Sequence, residues 1–520
     1  MLWSFHGGLH LSDHKAVSCD NPTFPSFIPK KLILPLQQHI GVPATPIVTK
    51  GDKVLKGQLL AHCGSKFTPN PRSAPIHAPT SGTVIAIADH PVLHPSGLSA
   101  ACIVIETDGK DQWRERQPIK DFLTAERDIL HRAIMKAGIV GLGGAGFPSH
   151  LKFAPNSIDT LIINGAECEP YITCDDHLMQ YHAHSVIQGA RIILNIIKDV
   201  RRCVIAIEDN KPKAITAMTE MVKKLDCQDH IEVVTVPTRY PTGGERQLIK
   251  VITGKEVPLG KIPASVGIIM HNVATSAAVY RAVAKDEPMI ARWVTLTGGA
   301  IKKAGNMFVL LGTPIQDLLS HCDCNPEDIA QMLIGGPMMG TKIDNMDMPV
   351  IKTTNCILSY DNQEKQQQEN PSPCIRCGQC ADVCPINLLP QQLYWYARAN
   401  NFVQLQNYQI NACIECGCCA YVCPSSIPLV HYYRYAKAEI RQQALDKKNA
   451  EIAKRRHEYK LFRVEREKIE RKAMHAAKKK AMLAKKKTAG TDSKQTIIQA
   501  AVARAKAKKA EKQANAGKTS

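Results

Sequence analysis

The sequence predicts a multidomain protein of mixed α/β and β class that carries a cysteine-rich module and a basic tail. The chain has 520 residues, and at ~100–200 residues per domain this length predicts about three to five domains behind an N-terminal segment (1–29). Strand-like apolar runs alternate with helix-like segments between residues 124 and 290, which is typical of an α/β core. Two cysteine runs near the carboxyl end indicate a further unit that binds metal.

Residues 30–112 are predicted to form β-structure. They are rich in Pro, Gly and β-branched residues and show no helical period. The phrases at 49–58 and 77–84 resemble the biotinyl/lipoyl-type barrel-sandwich fold, in which carrier proteins hold a cofactor on a lysine at a hairpin tip. No lysine lies between Arg72 and Asp89. We therefore expect a barrel-sandwich-like domain with a structural role and no carrier function.

Four segments of contrasting period predict the α/β core. Apolar residues recur at helical spacing over Ala125–Ala137 and His184–Val200, which predicts two helices. The short apolar runs Leu161–Ile163 and Cys203–Ile207 are typical of buried strands. Helices and strands therefore alternate along residues 124–290.

Two further segments separate this core from the cysteine-rich unit. Residues 291–355 contain strand-like runs that end in glycine pairs, and we expect them to form a small β-grasp-like module. Residues 361–373 are polar, rich in Gln and end in Pro, which indicates a linker.

Two cysteine runs repeat with a constant offset of 39 residues. Their members are Cys374, Cys377, Cys380 and Cys384, and then Cys413, Cys416, Cys419 and Cys423. Both runs follow the ferredoxin spacing C-x2-C-x2-C-x3-C-P, in which three thiolates hold one 4Fe–4S cubane and the fourth serves the other cluster. We therefore expect a two-cluster ferredoxin-like domain over residues 374–440. The alternative is structural zinc, but paired C-x2-C knuckles do not explain four cysteines per run, each ending in Cys-Pro.

The predicted ligands of each 4Fe–4S cluster come from both runs. The first cluster is assigned to Cys374, Cys377, Cys380 and Cys423, and the second to Cys413, Cys416, Cys419 and Cys384. Cys418 lies inside the second run but out of register, and we expect it not to be a ligand.

A glycine-rich loop, Gly141–Pro148, contains the pattern G-x-G-x-x-G. A Rossmann site needs a strand before this pattern and a helix after it, whereas here a predicted helix precedes the loop and a strand-like run follows. An ordinary Rossmann site is therefore not expected. The glycines still allow backbone N–H groups to approach a phosphate, and Lys152 lies just downstream. The alternative is that these glycines serve ordinary turns.

Five segments, in the same order, resemble the NADH- and FMN-binding flavoprotein subunit of respiratory complex I. They are Gly143–Pro148, Lys152, Asn164–Pro170, Tyr240–Glu245 and His271–Thr275. The chain differs from that family at Leu142, Ala166 and Cys168, where the family usually has Arg, an acidic residue and Gly.

This resemblance implies a non-covalently bound FMN that is reached by NADH. The residues that it places on the flavin phosphate and ribityl chain are Gly141, Gly143, Gly144 and Lys152. Those that it places along the isoalloxazine and nicotinamide face are Asn164 and the two catalytic candidates, Glu167 and Glu169. The residues that complete the implied pocket are Gly243, Glu245 and Asn272.

The order of the modules resembles that of the RnfC family, whose members belong to Rnf electron-transport complexes, over about residues 1–440. The resemblance implies an oxidoreductase acting on NADH, the peripheral electron-input subunit of a membrane-bound ion-translocating complex. FMN would join the two-electron chemistry of NADH to the one-electron chemistry of two 4Fe–4S clusters, and flow in reverse would run from ferredoxin to NAD. The implied partners are the integral membrane and the iron–sulfur or flavin subunits of the same complex, and ferredoxin.

Two other functions remain open on the sequence. One is a soluble flavin and iron–sulfur cobalamin reductase, a family with a similar core. The other is a non-enzymatic, ferredoxin-type electron conduit without nucleotide chemistry. NADH-dependent dye reduction separates the conduit from both enzymes, and co-purification with membrane subunits separates the enzymes from each other.

The net charge of the chain is concentrated in its tail, residues 441–520. The formal net charge is +19, and the tail holds 25 Lys and Arg against 8 Asp and Glu, so the rest of the chain carries only +2. The tail is rich in Ala and Lys and is expected to be helical or disordered. Its charge favours an anionic membrane surface over nucleic acid, for which no folded module is present. A purely solubilising tail is the alternative.

Two features of the sequence bear on location. Met1–Asp20 has no apolar stretch typical of a signal peptide, and no unbroken apolar run reaches the ~18 residues that a membrane span needs. We expect a peripheral protein on the cytoplasmic side of the bacterial inner membrane.

Overall fold

The computed structural model describes residues 2–19, 24–64, 72–93, 97–144, 146–153, 158–197, 200–365, 370–488 and 492–515. The chain divides into two units, Met1–Lys437 and Ala438–Ser520. Among the described residues, no helix combines the length and the apolar character needed to cross a bilayer.

The N-terminal segment crosses the surface of several later elements. It contains one short helix, α1 (Ala16–Cys19). Upstream of α1, the amide of Trp3 donates to Val251 O at 3.0 Å and that of Gly8 donates to Val383 O at 2.9 Å. The segment is therefore bonded to parts of the chain that follow it by more than 200 residues.

Seven strands form the predicted barrel-sandwich domain. They are β1 (Lys31–Pro35), β2 (Thr45–Pro46), β3 (Lys53–Val54), β4 (Leu59–His62), β5 (Ile76–His77), β6 (Gly82–Pro91) and β7 (Ser99–Thr107). Two antiparallel sheets result, in the orders β1-β7-β6-β3 and β2-β4-β5. The register pairs Leu32 with Ile105 and Leu34 with Ile103, and these four side chains are fully buried in one core.

The α/β core is a four-stranded sheet with six helices. Its strands are β8 (Thr160–Gly165), β9 (Arg202–Glu208), β10 (Ile231–Val236) and β11 (Ile268–Asn272). Its helices are α2 (Arg127–Lys136), α3 (Cys174–Tyr181), α4 (Ala183–Ile196), α5 (Pro212–Lys224), α6 (Glu245–Thr253) and α7 (Val273–Ala284). Short 3-10 turns lie at Ser149–Phe153 and Pro263–Val266. All strands are parallel, in the order β10-β9-β8-β11.

The elements predicted for this core are present, with one shortened. β8 and β9 contain the predicted strand runs, and α2 lies inside Ala125–Ala137. The second helix was predicted to reach Val200, but α4 ends at Ile196. Residues 198–199 of the predicted helix lie outside the described residues, and the amide of Arg201, just before β9, donates to Asp159 O at 2.9 Å.

The parallel order places polar residues at one edge of the sheet. The carboxyl end of β8 carries Asn164, that of β9 carries Glu208 and that of β11 carries Asn272. The register aligns Asn272 with Asn164. Ligands of open α/β sheets bind outside the carboxyl ends of the strands, so this edge is the expected place for a site.

A second mixed sheet follows the core. It consists of β12 (Ala291–Thr297), β13 (Gly305–Leu310), β14 (Gln331–Ile334), β15 (Thr341–Ile343) and β16 (Cys356–Tyr360), with α8 (Ile315–His321) and a 3-10 turn at Pro326–Asp328. The order is β13-β12-β16-β14-β15, and β12 and β16 are parallel. The predicted end of this module at residue 355 is wrong, because β16 is its central strand. In the sequence, the short apolar run of β16 gives no sign that it pairs with β12 and β14 and so belongs to this sheet.

The cysteine-rich unit repeats in its backbone as well as in its sequence. It contains α9 (Gln379–Asp382), α10 (Pro390–Arg398), α11 (Phe402–Asn407), a 3-10 turn at Ile410–Ala412 and α12 (Cys418–Tyr421). Arg376 and Glu415, which are 39 residues apart, both adopt a positive φ, near 60° and 58°. Gly378 and Gly417 do the same at 85° and 83°. These left-handed residues curl each run around its cysteines.

The tail consists of long helices. They are α13 (Leu429–Thr488), which begins in the cysteine-rich unit, and α14 (Asp492–Asn515). The described side chains over 441–486 and 495–510 are all exposed. Of the two forms expected for the tail, the structure shows the helical one.

Candidate functional site

The glycine loop is a tight turn between α2 and the 3-10 turn Ser149–Phe153. The amide of Gly141 donates to Phe147 O at 2.8 Å, and the amide of Leu142 donates to Thr275 Oγ1 at 2.9 Å. Gly144 has a φ of +111°, and a Cβ built on it would find no heavy atom of the described residues within 4 Å, its two chain neighbours aside. The loop is therefore fixed at its base and open at its tip.

The structure brings the loop next to Asn272 at the carboxyl end of β11. A Cβ on Gly143 would lie 3.3 Å from Asn272 Cβ, so a side chain there would crowd this contact. Asn272 caps α7 by accepting from the amide of Ala274 at 2.8 Å, and its Nδ2 donates to Asp175 Oδ2 at 2.5 Å. One asparagine thus joins the glycine loop to a carboxylate.

Lys152 and Glu245 form a pair on the same side of the sheet. Lys152 Nζ lies 3.1 Å from Glu245 Oε1 and donates to Met270 O at 3.1 Å. Met270 belongs to β11, two residues before Asn272. Lys152 therefore lies near the end of β11, the strand whose last residue, Asn272, contacts the glycine loop.

Asn164 holds the segment that contains Gly243. Its Nδ2 donates to Gly243 O at 2.9 Å, and its Oδ1 accepts from the amide of Ala166 at 2.9 Å. A Cβ on Gly243 would lie 2.3 Å from Ala166 O, so only glycine allows this approach. The two segments from the resemblance, around Asn164 and around Gly243, are thus in direct contact.

The carboxylates of Glu167 and Glu169 both accept backbone N–H groups. Glu167 is buried and its Oε1 accepts from the amide of Asp175 at 2.9 Å, at the start of α3. Glu169 Oε1 accepts from the amides of Met338 and Met339 at 2.8 and 2.9 Å. Burial raises the pKa of Glu169, and these two amides oppose the shift. Both side chains are therefore oriented by main chain.

Two buried lysines hold the loop that carries these glutamates, and the sequence reasoning missed both. Lys15 Nζ donates to the carbonyls of Glu167, Glu169 and Ile172 at 2.8, 2.9 and 2.5 Å. Lys211 Nζ donates to Glu208 Oε2 at 2.5 Å and lies 3.4 Å from Glu167 O. A lysine in the N-terminal segment gives no local sign that it will be buried against residue 167.

A polar group under the glycine loop was missed as well. Burial raises the pKa of the Asp175 carboxyl to about 7, and the charge of Glu167 adds to the shift. Arg292 in β12 is buried, and its Nη2 donates to Leu142 O in the glycine loop at 3.5 Å. Asp175 is therefore a carboxyl whose protonated form is favoured by burial and which Asn272 orients through Nδ2.

The eight predicted cluster cysteines lie around two cavities. One is lined by Cys374, Cys377, Cys380 and Cys423. The other is lined by Cys384, Cys413, Cys416 and Cys419, and by Cys418 as well. The predicted ligands around each cavity thus combine three cysteines of one run with the last cysteine of the other, because the two curled runs lie side by side with α9 against α12.

Backbone and side-chain donors surround the second cavity. The amide of Leu388 donates to Cys384 Sγ at 3.3 Å and that of Glu415 donates to Cys413 Sγ at 3.4 Å. Cys418 is fully buried, and its hydrogen bond with Cys416 raises the pKa of Cys418 and lowers that of Cys416. Cys418 therefore lies beside the predicted ligand Cys416 and lines the same cavity, and its assignment as a non-ligand stays a prediction.

Both sites fit the cofactors that the sequence implies. Four thiols with amide donors to sulfur are the donor set of a 4Fe–4S cubane. Backbone amides on an open glycine turn, with Lys152 nearby, are the groups that hold a phosphate. In the candidate flavin site, a Cβ at Gly143 would crowd Asn272 and a Cβ at Gly243 would crowd Ala166 O.

Three protein-family models match the chain. The RnfC barrel sandwich hybrid domain matches residues 3–110, the Nuo51 FMN-binding domain matches 134–281 and the 4Fe-4S dicluster domain matches 373–427. The matches overlap the barrel-sandwich strands, the four-stranded parallel sheet and both cysteine runs.

Several proteins of known name are similar along most of the chain. The C subunit of the ion-translocating oxidoreductase complex of Yersinia enterocolitica is 46% identical over 507 residues, which cover 97% of this chain and 70% of that protein. The protein of the same name from Serratia proteamaculans is 45% identical, with 98% and 70% covered. Among solved structures, an NAD+-reducing NiFe hydrogenase has a TM-score of 0.45 at 16% identity, with 63% of this chain and 64% of that one covered.

Proposed function

The chain belongs to the family of C subunits of ion-translocating oxidoreductase complexes, and from this premise we propose that it binds two 4Fe–4S clusters and one FMN and takes electrons from NADH. Membership makes it an electron-transfer subunit of such a complex, with FMN-binding and iron–sulfur domains. The number of clusters, their ligands and the use of NADH are the proposed part.

One observation carries the proposal. Each cysteine cavity is lined by the last cysteine of one run and by the first three spaced cysteines of the other, with Cys418 as a fifth cysteine at the second cavity. Such an exchange of the fourth ligand is the arrangement of two-cluster ferredoxins. We assign one cluster to Cys374, Cys377, Cys380 and Cys423, and the other to Cys384, Cys413, Cys416 and Cys419.

The residues at the carboxyl edge of the sheet would hold the flavin. The turn Gly141–Gly144 and Lys152 would bind its phosphate, and Asn164 and Asn272 would line its ring side. FMN, when bound, joins the two-electron chemistry of NADH to the single-electron chemistry of the clusters. Glu167 and Glu169, proposed as catalytic, shape the face where nicotinamide meets flavin.

The remaining residues of the proposed pocket act through their neighbours. Gly243 permits the close approach to Ala166, and Glu245 sets the position of the Lys152 ammonium at 3.1 Å. Asn272 orients the Asp175 carboxyl by donating to its Oδ2 at 2.5 Å. Electron flow in the opposite direction, from ferredoxin to NAD, would use the same residues.

The proposed partners are the integral membrane and the iron–sulfur or flavin subunits of the complex, and ferredoxin. We place the chain as a peripheral subunit on the cytoplasmic side of the bacterial inner membrane, where the basic tail would contact anionic lipid. We also infer that the sheet β12–β16 is β-grasp-like, because its two central strands, β12 and β16, are parallel.

Cofactor analysis of the anaerobically purified chain tests the proposal. Two cubanes predict about eight irons and eight acid-labile sulfides per chain, together with one FMN. Addition of NADH should bleach the flavin band first and then the broad iron–sulfur absorbance. Stoichiometric zinc or four irons would contradict the two clusters, and a protein without flavin would be an electron conduit.

Single substitutions test the ligand assignment. C380A and C423A should lose the same cluster, recognised by one electron paramagnetic resonance signal, and C384A and C413A should lose the other. C418A is the matched control and should retain about eight irons. Loss of the same signal in C380A and C384A would show that each run holds its own cluster.

A further inference from the structure

A buried tyrosine connects the candidate flavin site to the second cysteine cavity. Tyr240 is 3% exposed, and its hydroxyl donates to the carbonyl oxygen of Cys416 at 2.6 Å. Cys416 is one of the five cysteines that line this cavity and one of its four proposed ligands. The Tyr240 hydroxyl is thus hydrogen-bonded to the main chain of a proposed cluster ligand.

The main chain of Tyr240 is held by the N-terminal segment. The amide of Tyr240 donates to Leu9 O and its carbonyl accepts from the amide of Leu9, both at 2.8 Å. The residue before Leu9, Gly8, donates to Val383 O at 2.9 Å, and Val383 precedes Cys384, another cysteine of the same cavity. The backbone of Tyr240 is therefore hydrogen-bonded to the N-terminal segment, and that segment is hydrogen-bonded to the cysteine-rich unit.

The segment that begins with Tyr240 also forms one wall of the candidate flavin site. Three residues on, the amide of Gly243 donates to Cys168 Sγ at 3.3 Å and its carbonyl accepts from Asn164 Nδ2 at 2.9 Å. The tyrosine ring packs with Cys416, Cys418 and Cys168 in one apolar cluster. One short segment therefore contacts both proposed cofactor sites.

A second contact joins the same two regions. Glu169 accepts from the amide of Met338 at 2.8 Å, and a Cβ on Gly417 would lie 2.8 Å from Met338 O. Gly417 directly follows Cys416. The cysteine loop is thus wedged between the Met338 turn and the ring of Tyr240, and of these two contacts the tyrosine supplies the hydrogen bond to a ligand residue.

We propose that Tyr240 is a positioning residue that fixes the Cys413–Cys419 loop against the flavin site and raises the reduction potential of the cluster held there. The inference rests on the proposed function, because it requires a cluster on these cysteines. Oriented dipoles and hydrogen bonds around a cluster set its potential. The hydroxyl presents its positive end to the Cys416 peptide, so its loss should favour the oxidised cluster.

Y240F tests the inference on the full, cofactor-loaded chain. The ring and its packing remain and only the hydroxyl is lost, so iron and FMN contents should equal those of the wild type. We expect the potential of one cluster, followed by electron paramagnetic resonance in a redox titration, to become more negative. NADH-driven cluster reduction should slow by about threefold to tenfold, the scale of one net hydrogen bond, while reduction by dithionite stays unchanged.

T313V is the matched control. Thr313 is 1% exposed and its hydroxyl donates to Leu310 O at 2.8 Å, so the variant also loses one buried hydroxyl-to-carbonyl bond, but neither residue lines a cysteine cavity or belongs to the flavin-site segment. Its cluster potentials and its rate with NADH should match the wild type.

The outcomes separate this inference from the function on which it rests. Wild-type protein without iron or flavin would contradict the proposed function. Iron and flavin present, with Y240F potentials equal to those of the wild type, would overturn the role of Tyr240 alone. Equal shifts in Y240F and T313V would also overturn it, because they would reflect a general loss of packing.

Discussion

Buried charge is the feature that sets the shape of the candidate flavin site at the scale of single residues. Lys15 is 6% exposed, and its ammonium donates hydrogen bonds to three carbonyl oxygens of the loop after β8. A buried charge is tolerated only when hydrogen bonds satisfy it, and here the three carbonyls do so. The same bonds fix the direction in which Glu167 and Glu169 leave the loop.

K15M should therefore weaken both the fold and the site. The substitution leaves buried carbonyls without a donor, at a cost of about 1–3 kcal/mol in the free energy of unfolding. The loop should also loosen, so we expect a higher KM for NADH with a smaller change in kcat, and a lower FMN content. Urea unfolding, flavin extraction and steady-state kinetics measure these effects.

K50M is the control for this change, because Lys50 is exposed and lies in the barrel-sandwich domain. It should alter neither stability nor FMN content. A K15M protein with normal stability and normal KM would show that Lys15 does not hold the loop.

At the scale of elements, the helices of the tail differ from those of the α/β core. α2 to α7 each bury at least one residue, whereas the described side chains over 441–486 are all exposed. With 25 Lys and Arg against 8 Asp and Glu in residues 441–520, the described side chains of α13 beyond residue 440 and those of α14 gain no stability from a core. They are suited to a charged surface instead.

Removal of residues 441–520 should abolish binding of the chain to vesicles that contain phosphatidylglycerol. Each basic residue near an anionic surface contributes ~1 kcal/mol, so the full chain should bind and should dissociate as salt is raised. Vesicle sedimentation over a salt series measures this. A variant with Gln at Lys478, Lys479, Lys480, Lys485 and Lys486 keeps the helix and should dissociate at lower salt. Equal binding of the truncated and full chains would leave the tail a solubilising role.

At the scale of the whole molecule, one buried lysine ties three domains together. Lys352, between β15 and β16, donates to Pro75 O in the barrel-sandwich domain and to Gly138 O after α2, both at 2.8 Å. Its side chain is fully buried, and burial lowers the pKa of its ammonium to about 7. The joint between domains is therefore sensitive to pH.

The thermal stability of the wild type should rise between pH 7 and pH 10 through this group. In that window an unfolded lysine, with a pKa near 10.4, binds more protons than the folded one, and stability rises with pH wherever the unfolded state binds more protons. K352M should lose this increment and should unfold at a lower temperature at every pH, since two buried carbonyls lose their donor. Calorimetry at several pH values measures both effects. An exposed control, K302M, should keep the wild-type slope, and an equal slope in K352M would contradict the assignment.

Local spacing was sufficient for the parts of this protein that are built from neighbours in sequence. The C-x2-C-x2-C-x3-C-P runs place three thiols on one curl of chain, so the ligand groups could be written down before any fold was known. Alternating periods likewise identified β8, β9 and α2. β16 could not be assigned in this way, because a strand joins a sheet through partners that lie elsewhere in the chain.

Spacing and composition predict the class of chemistry: two groups of four cysteines as cluster ligands, a glycine turn that binds an anion and a basic tail. The tertiary structure decided which side chains orient that chemistry. Lys15 meets a loop 152 residues away, Tyr240 meets Cys416 across 176 residues and Lys352 meets Pro75 across 277. The physical reason is that a buried polar group must find its partner wherever packing places one, and that partner is set by the packing of distant segments and not by spacing along the chain.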